Sequence, residues 1–88
     1  MPTGSQGTVR LRFFARYAEF VGRAEATMAV GLPTTLGDLV RRVRAEVPGA
    51  DRLPERPLAA VNLRHARPET PLADGDEVAF LPPLAGGV

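Results

Sequence analysis

The sequence predicts one α+β domain, a mixed sheet of about five strands packed on one main helix. Three observations carry this. VRLRF (Val9–Phe13) alternates apolar and charged residues, and EVAFL (Glu77–Leu81) is a second apolar run, so a strand stands near each end of the chain. One longer stretch, TTLGDLVRRVRAEVPG, repeats its apolar residues at helical spacing. The chain has 88 residues, enough for one domain with a modest core and not for two.

In the first strand Val9, Leu11 and Phe13 share one face, and Arg10 and Arg12 the other. ARYAEFVGR follows as a short helical piece closed by Gly22. AEATMAV (Ala24–Val30) alternates again, with Ala24, Ala26, Met28 and Val30 on one face. The main helix places Leu36, Leu39, Val40, Val43 and Val47 on one side. Thr35 and Asp38 give it a T-x-x-D cap, and Pro48-Gly49 stops it. Arg41, Arg42, Arg44 and Glu46 form its wet face. ADRLPERP is a loop. LAAVN (Leu58–Asn62) is almost continuously apolar and reads as a central strand buried on both faces. LRHARPETPLADGDE holds a short edge strand and a turn at Asp74-Gly75, where glycine accepts positive φ. The last strand follows, and no segment repeats.

The order β, short α, β, α, β, short β, β leads to a β-grasp, ubiquitin-like roll. A ferredoxin-like split βαβ arrangement would want two full-length helices. The expected boundaries are a disordered arm over 1–7, the domain over 8–82 and a flexible Gly-Gly tail over 83–88.

Composition excludes several classes of chemistry. A net charge of +1 gives no electrostatic case for nucleic acid or an anionic membrane. All eleven basic residues are arginine, so there is no Schiff-base lysine and no lysine acceptor site. Without cysteine there is no disulfide, thiolate nucleophile or thiolate-bound zinc, and His65 alone cannot build a multi-histidine metal site. No apolar run approaches the roughly 20 residues of a membrane span, and MPTGSQG lacks the pattern of a signal peptide. The expectation is a cytoplasmic protein that binds no cofactor and no metal. Asp74, Asp76 and Glu77 read as a hairpin turn with solvated charges, and His65 as a surface or edge residue.

The informative segment is the end, LPPLAGGV. Pro82 and Pro83 cannot donate to a ladder, so the last strand ends there and the chain leaves it extended. Gly86 and Gly87 carry no Cβ, so another backbone can approach them closely. By strand alternation Val78 and Phe80 point to the core, and Leu81 points outward. Phe14 turns away from the face that Phe13 fills. Phe14 and Leu81 are therefore candidates for an apolar partner surface beside the tail residues Pro82, Pro83, Leu84 and Ala85.

Three stretches, LRFFARYAEFVG, LAAVN and PLADGDEVAFLPPLAGG, together resemble the ubiquitin-like sulfur-carrier family, in the branch of the small subunits of molybdopterin synthase. The resemblance spans nearly all of Leu11 to Gly87, and the final stretch is its most specific part. It implies the β-grasp fold. It also implies that the Gly87 carboxylate is adenylated by an E1-like adenylyltransferase using ATP. A sulfur donor, such as a cysteine desulfurase or rhodanese, then converts it to a thiocarboxylate. The loaded tail enters the large synthase subunit and supplies sulfur for the molybdopterin dithiolene. Carriage of sulfur for thiamine, cysteine or tRNA thiolation is an alternative, as is a ubiquitin-like modifier joined through Gly87 to a lysine of a target. Val88 departs from the family pattern, because it locks the Gly87 carbonyl in an amide. Removal of Val88 by a processing protease restores the reactive glycine. Loading of Val88 itself, or a valine foreign to the native chain, are the other accounts.

Overall fold

The computed structural model describes residues 5–83. The elements are β1 (Ser5–Phe13), α1 (Arg16–Val21), β2 (Glu25–Leu32), β3 (Thr34–Thr35), α2 (Leu36–Glu46), β4 (Leu58–Val61), β5 (Arg64–Ala66), β6 (Pro71–Leu72) and β7 (Glu77–Leu81). A 3₁₀ turn, Ala50–Arg52, follows α2.

The five-stranded sheet has the order β2-β1-β7-β4-β5. β1 runs parallel to β7 and antiparallel to β2, while β4 is antiparallel to both β7 and β5. The expected mixed sheet on one main helix is present, and it is a β-grasp roll. β3 and β6 make a separate two-stranded ribbon that strand periodicity did not reveal, since each has only two residues.

Alternation along each strand decides which residues enter the core. Val9, Leu11 and Phe13 of β1 and Val78 and Phe80 of β7 are buried, as are Leu36, Leu39, Val40 and Val43 of α2. Phe13 and Phe80 are register partners and their rings stack at 5.6 Å. Burial of these side chains contributes about 1.5–3 kcal/mol each.

Helix α2 begins where Thr35 accepts a hydrogen bond from the Asp38 amide at 3.3 Å, as the T-x-x-D pattern required. Two further amides of its first turn are satisfied from elsewhere: Leu36 donates to Thr70 O and Gly37 to Pro68 O. Gly37 also keeps the loop close, since a Cβ there would lie 3.2 Å from Pro68 O. The arginines of its outer face are not simply solvated. Arg42 donates to the Ala29 carbonyl at 2.8 Å and to both Glu46 oxygens, and Arg44 donates to the Leu53 carbonyl. Arg42 thereby holds the Glu46 carboxyl below its ordinary pKa and has its own raised.

Two expectations are corrected. Residues 5–7, expected within a disordered arm over 1–7, belong to β1 and pair with β2: Ser5 with Leu32, Gln6 with Gly31, Gly7 with Val30. Backbone pairing needs no apolar side chain, so the polar sequence SQG concealed it. Gly7 is fitted to its place, since a Cβ would meet Leu32 Cδ1 at 2.8 Å. The second correction concerns the start of β4, which is interior in the sheet and buried on both faces at Ala59 and Ala60 but not at Leu58. Ala59 is 1% exposed, whereas Leu58 is 48% exposed.

Candidate functional site

The helix-free face of the sheet follows from the registers. One row across it reads Glu25, Arg12, Ala79, Ala60 and His65. Leu81 and Leu58 pair in the next row towards the end of β7. Phe14 follows Phe13, the register partner of Phe80, and so stands level with Leu81. Its amide donates to the Phe80 carbonyl at 3.3 Å, which continues the parallel ladder by one residue. This end of the face is apolar: Phe14 and Leu81 are half-buried, and Leu58 is exposed.

The other end of the face is charged. Arg12 lies 3.9 Å from Glu77, and its guanidinium sits 5.1 Å from the centre of the Phe14 ring. Arg12 thus borders both halves, packing on an aromatic face and reaching a carboxylate.

The chain leaves the sheet at the apolar end. Leu81 is the last residue of β7, Pro82 is half-buried and Pro83 is exposed. The structure therefore brings together Phe14, Leu81, Pro82 and Pro83, four of the residues expected at a partner surface. Leu84, Ala85, Gly86 and Gly87 lie outside the described residues, as does Val88. Leu58 was missed, because a continuous apolar run does not show that its first residue is exposed while Ala59 and Ala60 are buried.

The turn before β7 is a structural device. Asp74 accepts from the Thr8 amide at 2.8 Å, which ties the turn to β1. Asp76 accepts from the Ala73 amide at 2.8 Å and from Asn62 Nδ2 at 2.9 Å. The Glu77 amide donates to Asn62 Oδ1 at 3.0 Å. These carboxylates bind donors of the fold as well as facing solvent, Asp74 being exposed and Asp76 half-buried, which adds a structural role to the turn expected there. Gly75 closes the turn at φ +87°. Among the described residues no three metal-ligating side chains converge. No helix of the described residues is long and apolar enough to cross a membrane.

With this geometry in place, comparison with known proteins is informative. Residues 11–87 match the ThiS family. The chain is 35% identical over 81 residues to the molybdopterin synthase sulfur carrier subunit of Chlamydomonas reinhardtii, covering 90% of this chain and 98% of that protein. It is 38% identical over 91 residues to small archaeal modifier protein 3 of Haloferax volcanii, covering 90% and 98%. The crystal structure of SAMP1 from Haloferax volcanii superposes with a TM-score of 0.80 at 26% identity, over 92% of this chain and all of that one. A chain in the complex of subunits 1 and 2 of molybdopterin-converting factor from Helicobacter pylori gives a TM-score of 0.65 at 27% identity, over 91% and 99%.

Proposed function

The chain belongs to the ThiS family, and on that premise we propose that it is a sulfur carrier serving molybdenum cofactor biosynthesis, loaded as a thiocarboxylate on Gly87. The observation that carries this reading is the exit of PPLAGG from β7 beside an uncovered apolar surface. A tail that reacts in another protein's pocket needs a docking face next to its root, and Phe14, Leu58 and Leu81 supply one.

A carboxylate is a poor electrophile at neutral pH. In the proposed cycle the Gly87 carboxylate attacks the α-phosphate of ATP on an E1-like partner and pyrophosphate leaves. The outer sulfur of a persulfide on the donor then displaces AMP to give an acyl disulfide, and a second thiol attacks the donor's cysteine sulfur, forming a disulfide with it and leaving the thiocarboxylate on Gly87. Pro82 and Pro83 cannot donate to a ladder and so end β7, and Gly86 and Gly87 carry no side chain that would fill a partner's pocket. The acids, bases and nucleotide site belong to the partners. The large subunit of molybdopterin synthase is the proposed receiver, supported by the Helicobacter pylori relative, which is in complex with its second subunit. Where Val88 is native, the proposal includes its removal by a protease, because an amide at Gly87 cannot be adenylated.

A second reading is supported by the 38% identity to an archaeal modifier protein. Under it the activated Gly87 is joined to a lysine of a target. This chain has no lysine, so such conjugates could not grow into chains of itself through side-chain amines. Reconstitution with the large subunit, the activating enzyme, ATP, a sulfur donor and the pterin precursor tests the two. Molybdopterin formation is expected. A ladder of lysine-linked conjugates in cell extract, with no molybdopterin formed, would favour the modifier.

A further inference from the structure

We infer that the β4–β5 hairpin is a second docking point, for the same protein partner that receives the tail, and that this partner offers Leu63 an apolar socket bordered by carboxylates. The inference rests on the carrier reading.

Asn62 and Leu63 form the two-residue turn between β4 and β5, with φ of 52° and 72°. Asparagine tolerates this left-handed region. Leucine does not favour it, and glycine is the usual choice at the second position. The fold gains nothing from the side chain, because Leu63 is 85% exposed. The turn is nevertheless fixed. Asn62 donates from its amide to the Glu77 carbonyl at 2.8 Å and from Nδ2 to Asp76 at 2.9 Å, and it accepts from the Glu77 amide at 3.0 Å. A strained, exposed apolar residue held on a rigid support points to a use outside the chain.

The charge beside it identifies the chemistry of the occupant. β5 is the last strand of the sheet, and Arg64, next to Leu63 in the chain, is exposed. It makes no ion pair among the described residues, where Arg12–Glu77, Arg41–Asp38 and Arg42–Glu46 are paired. The nearby Asp76 carboxylate is already taken by Asn62 and the Ala73 amide. An unpaired arginine beside an exposed leucine is complementary to an apolar socket with an acidic rim.

The span fits one partner. β4 places Leu58 beside Leu81 at the tail exit, while the Asn62 amide bonds to Glu77 at the opposite end of β7. From Leu58 to Leu63 is about 17 Å at about 3.4 Å per residue. An interface of standard size, roughly 800 Å² per side and so about 30 Å across, covers both points.

The test uses the large synthase subunit of the same organism as the probe, titrated by calorimetry with the whole chain. Leu63→Gly removes the side chain and relieves the positive φ, so thermal stability should stay the same or rise while Kd weakens by about tenfold or more. Arg64→Glu should also weaken binding and reduce its dependence on salt. Binding by Leu63→Gly equal to that of the parent, with Leu81→Arg impaired, would overturn this inference and leave the carrier reading standing. No binding by the unaltered chain would overturn both. Dimers of the free chain that depend on Leu63 would make a second copy the occupant and would also overturn it.

Discussion

Leu81 and Leu58 are register partners across β7 and β4, so the residue from which the tail departs stands beside a leucine that is 48% exposed. The pair lies on the helix-free face, level with Phe14. The root of the tail is therefore built into an apolar surface, and that gives the first prediction.

Leu81→Arg should weaken binding of the large synthase subunit by about 2 kcal/mol or more, roughly 30-fold, as for a residue near the centre of an interface. Leu81 is only half-buried, so the melting temperature should change little. Calorimetry of the complex and a thermal melt of the free chain check the two halves. Unchanged affinity would remove Leu81 from the interface.

Asp76→Ala should destabilise the fold by about 1–3 kcal/mol, because it leaves the Ala73 amide and Asn62 Nδ2 without their acceptor. Urea denaturation measures the loss. A change near zero would mean that water replaces the carboxylate and that the turn is held by its backbone bonds alone.

Glu46→Gln should reduce stability slightly at neutral pH. Its hydrogen bond with Arg42 holds the folded-state pKa of the carboxyl below the ordinary value. The stabilisation is therefore present above the unfolded pKa of about 4.3 and is lost as pH falls through the folded value. The pair is solvent-exposed, so the effect is small and screened by salt. Melting curves of parent and variant should differ at pH near 7 and converge in acid. A gap that persists in acid would assign the effect to packing.

Most of the fold was legible because burial on one face imposes a period on the sequence. Val9, Leu11 and Phe13 wrote β1, and Leu36, Leu39, Val40 and Val43 wrote α2. What escaped was held by backbone and polar contacts that leave no such period. Ser5–Gly7 joins β1 through main-chain pairing, and Thr34–Thr35 pairs with Pro71–Leu72 over too short a length to alternate. The hydrogen bonds of Asp74 and Asp76 escaped because their partners, the Thr8 amide and Asn62, are distant in sequence. Phe14 and Leu81 were found by alternation. Leu58 and Leu63 were not, the first hidden in an apolar run and the second in a hairpin whose turn carries no glycine.

The central claim is that the chain carries sulfur on the carboxylate of Gly87. Its most direct test is the intact mass of the chain ending at Gly87 and of the chain ending at Val88, each incubated with the activating enzyme, ATP and a sulfur donor. The account predicts that the Gly87 form gains the increment of one oxygen replaced by sulfur, while the Val88 form stays unchanged. An unchanged mass for the Gly87 form, with the activating enzyme shown to be competent on another carrier, would contradict it.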